Sequence, residues 1–200
     1  MKNRSEKTKI KIMSAVIELL EETCTENVNI TQIAETADIA VGLVNYHFKS
    51  KDELLAKSIK YYIENAIAKE SIKVIKTDLT PIEQLKASLH GYADFLERHG
   101  FISRLFIKYS CDSEYGNDIA KMGLEHYLPL LYQIKSWNSE IEAVIAINMV
   151  ANFIHMAFMK SDLIRQLFGL DFLVKEQRDI LVNQSIAIVF ENQVQTDMQS

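Results

Sequence analysis

The stretch Ile33-Ala34-Glu35-Thr36-Ala37-Asp38-Ile39-Ala40-Val41-Gly42-Leu43-Val44-Asn45-Tyr46-His47-Phe48-Lys49-Ser50-Lys51-Asp52-Glu53-Leu54-Leu55 decides the fold. Just upstream, Asn29-Ile30-Thr31-Gln32 sets a capping side chain at Asn29 and a Gln three residues later, the capping-box pattern that opens a helix. That helix runs through Ala37 with Ile30, Ile33, Ala34 and Ala37 on its inner face. Residues 38–40 interrupt it, and a second short helix follows over 41–48. Ser50-Lys51-Asp52-Glu53 repeats the capping pattern and opens a longer helix to about residue 75, marked by Leu55, Ile59, Tyr62, Ile63 and Ala66. Before the stretch, Met13, Val16, Ile17, Leu20 and Cys24 recur at three- and four-residue steps, which predicts a helix over 8–24 with one buried face. Three helices, the second and third joined by a tight turn, are the framework of a helix-turn-helix, whose last helix enters the major groove of DNA.

The rest of the chain continues in the same vein. Only two prolines and six glycines occur in 200 residues, with 48% hydrophobic and 24% charged side chains, so long helices and a sizeable core are expected. Thr80-Pro81-Ile82-Glu83 is a helix start, Gly100 its stop, and Ile82, Leu85, Leu89, Tyr92, Ala93 and Leu96 the stripe between them. Residues 101–109 read as helix, 112–117 as loop, and 118–135 as helix with Pro129 as a kink or break. Ser139-Glu140-Ile141-Glu142 caps an apolar helix over 139–159, residues 161–171 read as a connection containing Gly169, and 175–190 as the last helix. The expectation is an all-α chain of about nine helices. A three-helix helix-turn-helix domain over 1–55 is followed by a helical domain over 56–200.

Net charge is −5, yet residues 1–60 are balanced and the acidity lies beyond them. Lys2, Arg4, Lys7, Lys9 and Lys11 make the first eleven residues net +4, and Lys49, Lys51, Lys57 and Lys60 form a second basic cluster. These are the candidate phosphate-facing groups. Cys24 and Cys111 share no short spacing with each other or with histidine, so neither a disulfide framework nor a zinc cluster is indicated, and both read as buried reduced thiols. The basic start carries no apolar signal core, and a cytoplasmic protein is expected. The 17 uncharged residues of 143–159 fall short of the ~20 of a membrane span and include Asn148, Asn152 and His155. A buried helix, and no membrane, is expected there. No phosphate-cradling glycine loop, Gly-x-Ser-x-Gly, His-Glu-x-x-His or Cys/His cluster occurs, and His47, His90, His99, His126 and His155 are scattered. The chain therefore reads as a non-enzyme without metal or cofactor.

The Ile-Ala pair at 33–34, the alanine before the turn, the glycine of the second short helix, its aromatic-rich end and Phe48-Lys49-Ser50-Lys51-Asp52-Glu53-Leu54 together resemble the N-terminal signature of the TetR family. The resemblance covers 8–60; beyond it only the helical layout matches. Asp38 stands where the family usually has a turn glycine, and Asp tolerates a left-handed backbone better than most residues. Ala40 stands where a Ser or Thr usually caps the recognition helix, and Asn45 where a phosphate-contacting tyrosine is common.

The resemblance implies a homodimeric, sequence-specific DNA-binding transcription regulator, usually a repressor released from its operator by a small-molecule ligand. At the matching positions Val41 and Leu43 suit a thymine methyl, Gly42 a close backbone approach, and Asn45 adenine or a phosphate. Tyr46 and His47 suit phosphates, Thr31 base or backbone, and Lys51 the anion-favouring start of its helix. Phe48, Ile33 and Ala37 hold the three helices together. The resemblance also implies a dimer bundle from helices 139–159 and 175–190, a near-palindromic operator and a ligand pocket in the second domain. Tyr62, Tyr92, Phe95, Phe106, Tyr109, Met122 and Tyr127 are candidate lining residues, although such a set at helical spacing more often describes plain core. Asn148, Asn152 and His155, at steps of four and three, share one side of their helix and face either the dimer seam or the pocket, where Asn152 and His155 would orient a polar ligand.

Overall fold

The capping box at Asn29 closes in full: Gln32 N–H donates to Asn29 Oδ1 and Asn29 N–H to Gln32 Oε1, both at 2.9 Å. Two of the orphan donors at that helix start are thereby satisfied by side chains. The computed structural model describes the backbone of residues 2–75, 78–111 and 116–191, and their side chains except those of 2, 3, 67–75, 119, 120, 122 and 191. Among the described residues there are ten α-helices and no strand. They are α1 (Lys2–Thr23), α2 (Ile30–Thr36), α3 (Val41–His47), α4 (Lys51–Ile75), α5 (Pro81–Arg98), α6 (Gly100–Ser110), α7 (Gly116–Ile134), α8 (Glu140–Met159), α9 (Ser161–Phe168) and α10 (Lys175–Ile186). A π-helical turn over Ala187–Glu191 extends the last helix.

The helices gather into two units, each with its own core. The first comprises Met1–Ile67 and His99–Ile119. Its centre is Ile12, Val16 and Leu20 of α1, Ile33 of α2, Leu54, Ile59 and Ile63 of α4, and Ile102 of α6, all essentially without solvent contact. α6 packs on α1. Polar ties accompany that packing: Tyr62 Oη donates to Glu21 Oε1 (3.1 Å), which also lies 3.0 Å from His99 Nδ1, and Lys108 Nζ reaches the Glu26 carboxylate at 2.8 Å. At the start of α7, a Cβ on Gly116 would lie 2.6 Å from the Ser110 carbonyl oxygen, so only glycine fits there.

The second unit comprises Ala68–Arg98 and Ala120–Ser200. α5, α8 and α10 pack on one another around Leu85, Leu89, Leu96, Ile147, Val150, Phe158 and Val182, with Phe172 fully enclosed. α8 is long and apolar enough, by length and composition alone, to cross a membrane. Its buried side is nonetheless an internal face of this unit, formed by Ala143, Ile147, Val150, Ile154 and Phe158.

Two further helix starts use a displaced capping box. Ser50 Oγ accepts from Glu53 N–H at 3.1 Å, but the Glu53 carboxylate turns back to the N–H of Lys49 at 2.7 Å, one residue before the cap. Ser139 does the same for Glu142, whose carboxylate accepts from Asn138 N–H at 2.9 Å.

Several expectations need correcting. Cys24 and Cys111 are exposed, not buried: α1 ends at Thr23, and Cys24 takes a positive φ of 48° outside the helix. Gly100 opens α6 instead of terminating α5. The connection over 161–171 contains a helix, α9, stopped by Gly169 in the left-handed region (φ 67°) with its N–H on Arg165 O. α7 runs through Pro129, and Gly116 and Asn117 already belong to it; residues 112–115 lie outside those described.

Candidate nucleic-acid interface and interior polar cluster

Thr31, Val41, Gly42, Leu43, Asn45, Tyr46, His47 and Lys51 all lie at the surface of the first unit, His47 and Lys51 partly covered. Asp38 adopts φ 48°, the left-handed turn conformation expected of it, and Ala40 caps α3 with backbone alone. Lys11 Nζ reaches the Asp38 carbonyl at 3.3 Å and its carboxylate at 3.5 Å, so α1 braces the turn. α3 is anchored from beneath by Val44 and, just beyond its end, by Phe48, both buried. Val41, Leu43 and Tyr46 are turned outward, 40%, 42% and 78% exposed. Three large apolar or aromatic side chains left in water on a seven-residue helix signal a surface made to be covered. A Cβ added at Gly42 would meet no atom within 4 Å, so nothing inside the protein requires that glycine. Asn45 and Thr31 are exposed, His47 and Lys51 half-buried, and the His47 ring stands edge-on to Tyr46 with centroids 5.1 Å apart.

The basic groups divide. Lys57 pairs with Glu53, and Lys60 with Glu64 and Asp118, so these lysines serve ion pairs within the unit. Arg4, Lys7 and Lys49 are exposed. The side chain of Lys2 lies outside those described.

The pocket candidates fall into two groups. Tyr62, Phe106 and Tyr109 belong to the first unit, where Phe106 and Tyr109 are core and Tyr62 bonds with Glu21 and His99. Desolvation, reinforced by the neighbouring Glu21 carboxylate, pushes the Tyr62 phenol up to about 12. Tyr92, Phe95, Tyr127 and His155 belong to the second unit. There Tyr92 Oη lies 2.6 Å from His155 Nε2, joining α5 to α8, and Ser88 Oγ lies 3.0 Å from His126 Nε2, joining α5 to α7. The Tyr127 phenol lies close to both Ser88 and Tyr92. Burial holds the phenols neutral, Tyr127 at about 12 and Tyr92 well above its ordinary value. The Met122 side chain lies outside those described.

Ser88 and His126 were missed in the sequence. Their signal is faint: Ser88 and Tyr92 are one turn apart in α5, and His126 directly precedes Tyr127 in α7. Asn148, Asn152 and His155 do not act together as their spacing predicts. Asn148 and Asn152 are exposed, and Asn148 Nδ2 donates to Val144 O at 2.8 Å, whereas the imidazole of His155, at the edge of that face, turns inward to Tyr92.

Burial pulls the His155 imidazole down to about 4 from 6.5, and His126 is lowered for the same reason. A base with a lower pKa folded than unfolded binds fewer protons in the folded state between those two values. Its stability contribution is complete above pH 6.5 and lost as pH falls toward 4. His155 alone is expected to contribute a slope totalling about 3 kcal/mol across that window. Urea midpoints measured through the window in the parent and in His155→Leu should show the slope weakened in the variant; equal slopes would refute the assignment.

Residues 12–57 match the family model of bacterial regulatory proteins, tetR family. No curated protein matches the chain. Several solved structures share its fold over nearly its full length. The transcriptional regulator FadR from Bacillus subtilis in complex with stearoyl-CoA is 18% identical, with a TM-score of 0.60, covering 90% of this chain and 97% of its own. SmeT, the repressor of the Stenotrophomonas maltophilia multidrug efflux pump SmeDEF, is 17% identical with a TM-score of 0.60, covering 90% and 89%. A tetR-family transcriptional regulator from Streptomyces coelicolor is 16% identical with a TM-score of 0.63, covering 91% and 80%. At such identities the likeness is one of fold.

Proposed function

We propose, from the match of residues 12–57 to the tetR family of bacterial regulatory proteins, that this protein is a cytoplasmic, homodimeric repressor that leaves its DNA operator when a small molecule binds. The observation that carries the reading is the outward face of α3, where Val41, Leu43 and Tyr46 stand exposed above the buried Val44. Residues 1–55 read DNA, with Thr31, Val41, Gly42, Leu43, Asn45, Tyr46, His47 and Lys51 at the interface; residues 56–200 bind the effector and dimerise.

Dimerisation is supported by the outer side of α8, where Ile141, Ile145, Met149 and Met156 recur at helical steps, and by Ile180 and Ile188 in and beyond α10, all exposed. Two such helices per subunit make a four-helix seam about a two-fold axis, which calls for recognition helices ~34–36 Å apart and a near-palindromic site. The effector acts by population shift, favouring a conformer in which the paired α3 helices no longer match successive grooves.

The test starts by selecting bound fragments from the source genome. On the best fragment, Tyr46→Ala with Lys51→Ala is expected to weaken binding at least tenfold. Removing one phosphate contact per subunit should also flatten the dependence of log K on log salt by about 2. Unchanged affinity across the salt titration, with circular dichroism intact, would remove these residues from the interface.

A further inference from the structure

Ser88, Tyr92, His126, Tyr127 and His155 bring hydroxyls and imidazoles from α5, α7 and α8 together in the second unit, where Tyr92 bonds with His155 and Ser88 with His126, and Tyr127 lies close to both Ser88 and Tyr92. All five are half-buried, neither sealed in the core nor on the open surface.

We propose that the effector is an uncharged, largely apolar molecule presenting a hydroxyl, phenol, ketone or amide oxygen to the Tyr92–His155 and Ser88–His126 pairs, not a carboxylate, a phosphate or an amine. This rests on the reading of the protein as ligand-responsive and names the chemistry of that site. The pairs are neutral hydrogen-bonding groups of both senses. With the Tyr92 hydroxyl donating to Nε2, the His155 Nδ1–H remains a donor and the phenol oxygen an acceptor. The serine hydroxyl beside His126 can likewise give or receive.

Among the described residues, a charged ligand would find no buried opposite charge that is not already paired. Among the described residues the only buried charged side chain is Arg178, and it is committed to Asp94 Oδ1 and the Phe172 carbonyl. Asp94 also holds Lys175, and Asp179 holds Lys175 and His90. His155 and His126 resist protonation because burial lowers both, so neither supplies a cation at neutral pH. An ionised group entering such surroundings loses its water without a compensating partner, and its affinity falls accordingly.

The experiment compares matched pairs on the full-length protein near neutral pH by isothermal titration: 1-decanol against decanoate and decylamine, and 2-naphthol against 2-naphthoate. In whichever series binds, the alcohol or phenol is expected to bind at least tenfold more tightly than the ion of the same skeleton. Tyr92→Phe with His155→Leu should reduce that preference below threefold; if the double variant does not fold, Tyr92→Phe alone should reduce it. Ions binding as tightly as their neutral partners would overturn the proposed chemistry and leave ligand responsiveness standing. A preference that survives in the folded variants would overturn the assignment to these pairs. Binding of no member of any series by the folded parent would sink the ligand-responsive reading itself, and this proposal with it.

Discussion

Asp94→Ala is expected to destabilise the protein by about 3–5 kcal/mol, the range for stripping a partner from a buried charge. Arg178 is 3% exposed. Its Nε and Nη2 donate to Asp94 Oδ1 at 3.0 and 2.8 Å, and its Nη1 to the Phe172 carbonyl at 2.8 Å. Burial works to raise the Asp94 carboxyl, yet Arg178 and Lys175 together hold it below its ordinary value. Stability from Asp94 is thus present above the unfolded carboxylate pKa and lost as pH falls through the folded one. Without Asp94, the guanidinium keeps a single carbonyl and stays out of water. Arg178→Met combined with Asp94→Leu should recover much of the loss, because two apolar side chains leave no orphaned charge. Urea denaturation of the single and double variants decides it: a single-variant loss under ~1 kcal/mol, the scale of an exposed pair, would mean that the pair is effectively solvated.

Ile145→Asp with Met149→Asp is expected to abolish tight operator binding while leaving each chain folded. Both positions are more than half exposed, so their replacement removes no core contact. Across a two-fold seam, however, four new carboxylates would face one another without water. Light scattering after size exclusion should then report a monomer at micromolar concentration. A monomer engages one half-site, and losing the second, intramolecular engagement lowers affinity by about 10²–10⁴. A dimer that persists, or a monomer that binds the operator undiminished, would contradict the proposed seam.

What the sequence made legible follows from the range of each interaction. The box at Asn29, the left-handed Asp38 and the weakly capped Ala40 are local effects, set by residues within a few positions, and the structure agrees with the reading of each. The burial of Ile33 and Ala37 was equally plain from periodicity, and that of Phe48 followed from the family resemblance. α9 is hidden in the sequence because Ser161 to Phe168 follows α8 almost without a break, and a lone Gly169 reads equally as part of a connection and as a helix stop. The polar cluster was hidden for a different reason. Tyr92 and His155 are 63 residues apart, and Ser88 and His126 are 38 apart, so no local pattern joins them. Spacing did place His155 on one side of α8 with Asn148 and Asn152. It could not tell that an imidazole at the margin of that face would swing inward to a phenol on another helix.

The Glu53 clasp has a consequence for the recognition helix. Only Phe48, Lys49 and Ser50 separate α3 from α4, and all three are pinned: Phe48 by burial, Lys49 through its N–H on Glu53, Ser50 as the cap. No slack remains between the two helices, so α3 is geared to the opening turn of α4 and must pivot whenever that turn does. The Glu53 carboxylate, held below its ordinary pKa by Lys57 and by the Lys49 N–H, is the tooth that keeps the gear engaged.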